Sequence, residues 1–219
     1  MINKNISFDF DPKIDSKQRL TKLVNRAYLK NKKFFKKDVS GIKVIFLYTR
    51  SQMDKTYSRK TPDWVVGGTK GRDSIYIFSP SVFDKVSNHP ASDFFYTLTH
   101  EMAHIFTNHV LDLYYPRWLR EGIAGYVAEQ YKIRPVRMIH KFSQLHDERS
   151  WEHYHNYPQA FSFTKYLIDT LEKEKMLRFL KKLPKKIGRH HYPQNFIQFF
   201  NQFFKNDFSQ LVSKWKNLN

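Results

Sequence analysis

The sequence predicts an α+β fold: a small N-terminal mixed sheet followed by a mainly helical C-terminal half. Three observations predict it. Two short runs rich in β-branched and aromatic residues, Lys43 to Tyr48 and Ser74 to Phe78, lie before Pro80. Runs with apolar residues at helical spacing follow Pro90 and continue almost to the C-terminus. Strands grouped ahead of helices, rather than alternating with them, indicate α+β and not a doubly wound sheet. The length of 219 residues suits one domain, 1–219, with a helix-and-sheet part over 1–90 and a helical part over 91–219. No internal repeat is visible.

Taken in order, Asp15 or Ser16 can cap a helix reaching about Asn31, with Leu20, Leu23 and Val24 as its apolar stripe. Lys43 to Tyr48 reads as a buried strand, Trp64 to Gly68 as a short strand or bend, and Ser74 to Phe78 as an alternating strand. Pro80 and Pro90 bracket a loop or short helix. Ser92 or Asp93 then caps a helix whose buried stripe is Phe94, Leu98, Met102 and Ile105. That helix ends before a turn at Tyr114-Tyr115-Pro116. A second starts near Trp118 and runs to about Gln130. His140 to Tyr157 reads as loop with a short helix. Helices are expected again over 159–170, 174–182, 193–204 and 208–216, with a loop from Leu183-Pro184 to Tyr192-Pro193.

Twenty Phe and thirteen Tyr supply ample core, and low-complexity disorder is excluded. No apolar run is long enough to span a bilayer. The N-terminal segment lacks the apolar core of a signal peptide, which points to the cytoplasm unless a leader is removed. Zero cysteines exclude disulfides and thiolate ligands. The net charge of +18 has runs at Lys30 to Lys37 and Lys181 to Lys186. Such runs can attract nucleic acid or an anionic surface. No nucleic-acid motif accompanies them, so a solvated, lysine-rich surface is the favoured reading.

The most informative segment is His100-Glu101-Met102-Ala103-His104, an HExxH motif in a helix. Residues four apart sit one turn apart on nearly the same face, so two imidazoles can share one metal ion. Glu101 projects about 100° away, too far to compete as a ligand. It is placed instead to act as a general base on a water at that site. A catalytic zinc takes three protein ligands, so a third donor is needed. Glu121, in Trp118-Leu119-Arg120-Glu121-Gly122-Ile123-Ala124, is the best candidate, carried in the first turn of the next helix.

HEMAH, then WLREGIA, then Tyr157-Pro158-Gln159-Ala160-Phe161-Ser162-Phe163 resemble the peptidase MA-like gluzincins, relatives of thermolysin and the M1 aminopeptidases. The resemblance runs from about Gly41 to the C-terminus. It implies a sheet packed on the HExxH helix, zinc bound by His100, His104 and Glu121, and Glu101 as base. It also implies an edge strand, within Gly67 to Phe78, that pairs with an extended substrate; the plainer reading of Gly67, Gly68 and Gly71 is turn formation. Gluzincins often place an acidic residue four after the third ligand, where this chain has Gly125. Tyr157, in an element similar to the Tyr-x-Lys-Gly of the M1 group, is the candidate donor to the oxyanion, with His153, Tyr154 and His155 as rivals.

These readings predict a zinc-dependent metallopeptidase with one Zn²⁺ per chain, for which Mn or Co could substitute, acting on peptide or protein substrates. No GxMEN-like segment is present to hold a substrate amine, which favours endopeptidase action. The alternatives are a basic binding protein on a decayed peptidase fold and a metallohydrolase of a non-peptide amide.

Overall fold

Four short strands form one mixed sheet whose connections explain its order. In the computed structural model, which describes residues 5–113, 116–136, 142, 145, 151, 156–183 and 194–218, β1 (Ile6–Asp9), β2 (Ile42–Leu47), β3 (Gly67–Lys70) and β4 (Ser74–Phe78) lie in the order β1-β2-β4-β3. β1 pairs parallel with β2, and β2 parallel with β4. Parallel neighbours need a crossover. α1 (Lys17–Phe35) supplies one between β1 and β2, and α2 (Arg50–Tyr57) lies on the path from β2 to β3. β3 and β4 form an antiparallel hairpin around Gly71, whose φ of 67° suits glycine. β1 and α2 were not read from the sequence. β1 is only four residues long. α2 does carry a legible signal, the capping box between Thr49 and Gln52.

The chain divides into two compact units, Met1–His109 and Val110–Asn219. In the first, α3 (Phe94–Val110) follows a 3-10 turn at Ala91–Asp93 and is buried on nearly every face. The expected stripe of Phe94, Leu98, Met102 and Ile105 is buried. α1 is tied to α3 by Asn31, whose buried amide donates to the Thr99 carbonyl at 3.1 Å and to its own Ala27 carbonyl at 3.0 Å. Tyr28 and Phe35 pack on Phe106 at ring separations of 5.3 and 5.6 Å. That packing carries α1 past Asn31 to Phe35, so the first basic run begins inside the helix rather than after it. Asp15 does not cap α1. Its buried carboxylate accepts from Tyr48, Ser79 and Ser81, which ties the start of α1 to the ends of β2 and β4. The hairpin tip reaches the end of α3: Arg72 donates to the Asn108 carbonyl at 2.8 Å, and Asp73 pairs with His109 at 2.5 Å.

The second unit holds α4 (Arg117–Ala128), α5 (Asn156–Leu171), α6 (Lys173–Lys182), α7 (Gln194–Phe204) and α8 (Phe208–Lys216). Its core is aromatic. Trp118 meets Phe163 and Phe196 at 5.4 and 5.7 Å, and Phe163 meets Trp215 at 5.2 Å. The Trp215 indole donates to Ser162 at 3.0 Å, which satisfies its one polar atom. α5 begins at Asn156, three residues before the start expected at Gln159, so Tyr157 sits inside a helical turn rather than ahead of one. The turn at Tyr114-Tyr115, the rivals His153, Tyr154 and His155, and the loop at 184–193 lie outside the described residues.

Candidate metal centre

The motif helix sets two imidazoles one turn apart. The rings of His100 and His104 lie 4.7 Å apart between centroids, at 88° to each other. Both are buried, at 6 % and 5 % exposure, and Glu101 between them is buried at 8 %. On α4, Glu121 is buried at 6 %. It falls in the second turn, because the helix begins at Arg117 on a Pro116 cap, one residue before Trp118. One ligand atom from each of His100, His104 and Glu121 lies within 4.8 Å of the others.

This group can hold a metal ion. Two imidazole nitrogens and a carboxylate oxygen are the donors of a His2Glu site. A buried carboxylate needs a compensating cation or hydrogen bonds to stay charged, and a bound dication supplies the first. Imidazole ligands also leave Glu101 free of the ligand role, as its different helical direction requires.

Gly67 explains how Glu101 meets the sheet. A side chain at Gly67 would place its Cβ 3.3 Å from the Glu101 Cγ and 3.4 Å from the Tyr76 carbonyl oxygen. The next residue is tighter: a Cβ at Gly68 would lie 2.1 Å from the Tyr57 hydroxyl. Gly67 and Gly68 are strand residues of β3, not turn residues as the plainer sequence reading had it; only Gly71 serves the turn. Their glycines allow side chains to approach the backbone closely. Tyr57 was missed from sequence because α2 was missed. Its hydroxyl is buried with no hydrogen-bond partner among the described residues. Burial pushes its pKa far above the usual tyrosine range, and the Glu101 carboxylate adds to the rise.

Gly125, where an acidic residue was expected by resemblance, is closed by packing. A Cβ there would lie 2.1 Å from the Phe161 ring, and one at Gly122 would lie 1.9 Å from Thr164 Oγ1 and 2.7 Å from the Ala160 carbonyl. α4 and α5 therefore meet through two glycines one turn apart, and that contact excludes any side chain at 125. Tyr157 stands in the first turn of α5. Its hydroxyl accepts from Arg117 at 3.3 Å, and its ring packs edge-on against Trp151 at 5.1 Å.

No curated protein and no solved structure matches this chain. A family model described as "Peptidase of plants and bacteria" matches residues 14–215, which takes in both units, the HExxH helix and Glu121. With the match spanning nearly its whole length, the chain belongs to this family of peptidases, a family of hydrolases.

Proposed function

We propose that this protein is a zinc metallopeptidase of gluzincin type. The observation that carries the reading is the buried His100, His104 and Glu121 set with Glu101 in the same helix. Zinc held there would act as a Lewis acid on the scissile carbonyl and acidify a water. Glu101 takes the proton from the attacking water and delivers it to the leaving amine. Its burial against Gly67 limits the rotamers from which it acts. Tyr157, held by Arg117, is the proposed donor to the developing oxyanion.

The edge position of β3 is compatible with endopeptidase action. β3 is outermost in the sheet, so its second backbone edge faces away from β4. An extended peptide added there is held by main-chain hydrogen bonds along its length, independent of its ends. Gly67 leaves no side chain between that strand and Glu101.

Metal analysis combined with hydrolysis of a quenched peptide mixture tests the proposal. Protein purified without chelator is expected to hold about one zinc per chain. Glu101→Gln is expected to keep the metal and lose about 10²–10⁴-fold in rate. Protein that neither holds nor takes up zinc overturns the site. A Glu101→Gln variant of near-full activity overturns the base. Zinc uptake with no hydrolysis of any peptide favours a binding protein on a decayed fold.

A further inference from the structure

α1 has an outward face whose electrostatics run against helix stability. Its 19 residues include seven Lys or Arg and no Asp or Glu, whereas the whole chain nets +18 over 219 residues. At 100° per residue, Arg19, Lys22, Arg26, Leu29, Lys30 and Lys33 form one stripe. It lies opposite the buried Leu20, Val24, Asn31 and Phe34. Lys22 with Arg26, and Arg26 with Lys30, are like-charge pairs one turn apart, which weaken a helix. The first turn carries Lys17 and Arg19 at the positive end of the helix dipole, with no acid to offset them. Arg26 is held over the Phe95 ring at 4.2 Å, which keeps its guanidinium on this surface.

Leu29 distinguishes among anionic partners. It lies along one side of the cationic stripe, one turn from Arg26 and from Lys33, and is 60 % exposed, one of three exposed large hydrophobic residues among the described residues. A second, Ile14 at 45 %, lies just ahead of the helix. A nucleic acid gains little from an aliphatic side chain facing its phosphates. A bilayer interface gains both from cations at the headgroups and from an aliphatic group entering below them. Beside the first half of the stripe a cleft of about 440 Å³ opens, with Arg19 and Lys22 on one wall and Phe94 and Phe95 on the other. Its mixture of cations and rings suits a headgroup and the upper part of its chain.

We infer that the outward face of α1 docks on anionic lipid membranes, with Arg19, Lys22, Arg26, Lys30 and Lys33 at the headgroup phosphates and Leu29 in the interface. On this inference Lys30 and Lys33 of the first basic run belong to a binding surface rather than a solvated one. This surface lies within one unit and requires no peptidase activity.

Vesicle co-sedimentation of the full chain tests it. Vesicles of phosphatidylcholine alone are compared with vesicles containing about one-third phosphatidylglycerol. Binding is expected only to the anionic vesicles, and it should weaken as salt shortens the screening length from about 30 Å at 0.01 M to about 8 Å at 0.15 M. The variant K22Q/R26Q/K33Q should bind about 100-fold more weakly. A control with the same charge change elsewhere, K181Q/K182Q/K214Q, should lose far less. Leu29→Ser should weaken vesicle binding severalfold and leave binding to single-stranded RNA unchanged. It keeps every charge, so it tests the surface even if the triple variant folds poorly. No binding to anionic vesicles at low salt overturns the proposal. So does equal loss in the two triple variants, which assigns the effect to net charge. RNA binding tighter than vesicle binding, with Leu29→Ser neutral in both, assigns the stripe to nucleic acid.

Discussion

At the scale of single residues, Tyr57 occupies the space that a side chain at Gly68 would need. Adding a methyl at Gly68 drives it to 2.1 Å from the Tyr57 hydroxyl oxygen, while the next ring atom, Cζ, is at 3.1 Å. Gly68→Ala is therefore expected to destabilise by about 1–3 kcal/mol, an overpacking cost. Tyr57→Phe removes a buried hydroxyl that lacks a partner among the described residues, so stability should be unchanged or higher by about 1 kcal/mol. In the double variant the hydroxyl clash is gone, and Gly68→Ala should cost less than it does alone. Denaturant unfolding of the four proteins measures this coupling, and strictly additive effects would show that the two sites do not touch. Tyr157 supplies a second test. Tyr157→Phe keeps the ring against Trp151 and loses only the hydroxyl held by Arg117. If it donates to the oxyanion, turnover falls about 10²–10³-fold with little change in substrate binding. Normal kinetics in Tyr157→Phe, with collapse in His155→Ala, would move the role to His155.

At the scale of elements, α4 is placed by its glycines. Gly122 and Gly125 let α5 approach so closely that the Ala160 carbonyl oxygen lies 2.7 Å from a Cβ built on Gly122. A backbone atom cannot swing aside as a side-chain end can. Gly122→Ala is thus expected to separate the helices and cost about 1–3 kcal/mol or more. If Glu121 binds zinc as proposed, zinc affinity should fall with it, because Glu121 is the adjacent residue. Thermal unfolding of the metal-free protein, run beside a zinc titration, separates the two effects. Unchanged affinity in a destabilised variant would mean that the position of α4 does not govern the site. The same pair shows what local reading reaches. WLREGIA reads as helix from its apolar spacing, but nothing within it says that both glycines are packing surfaces. That follows only from Thr164, Ala160 and Phe161 about 40 residues on. α2 is the reverse case. Its capping box was present in the local sequence, and Thr49 accepts from the Gln52 amide at 3.2 Å. The helix is only eight residues long, too short for periodicity to register.

At the scale of the whole molecule, partly buried tyrosines, Tyr48 and Tyr57 among them, make stability depend on alkaline pH. Burial raises the Tyr48 phenol to about 12, with its hydrogen bond to Asp15 adding to the rise and the bond from the Asp11 amide opposing it. Tyr57 is raised further in the same direction, chiefly by burial. A group whose pKa is raised by folding holds its stabilisation below the unfolded value. It loses that stabilisation as pH climbs through the folded one. The unfolded chain releases these protons from about pH 10, so stability should fall steadily above that point. Melting temperatures measured from pH 8 to the alkaline limit should decline less steeply in Tyr57→Phe than in the parent chain. Equal slopes would show that Tyr57 titrates normally.

The sequence by itself determined the features that depend on short separations along the chain. The two imidazoles of HExxH share a face, and Glu101 points elsewhere, because a helix turns 100° per residue whatever surrounds it. The α+β order, the strand from Ser74 to Phe78 and the helix from Phe208 to Lys216 are legible for the same reason: periodicity is local. Tertiary structure decided what depends on distant partners. It buries the Glu121 carboxylate and closes Gly125 with Phe161. It sets Tyr57 over Gly68 and extends α1 through Phe34 and Phe35. Each of these is a matter of which surfaces meet in space, and separation along the chain carries no record of that.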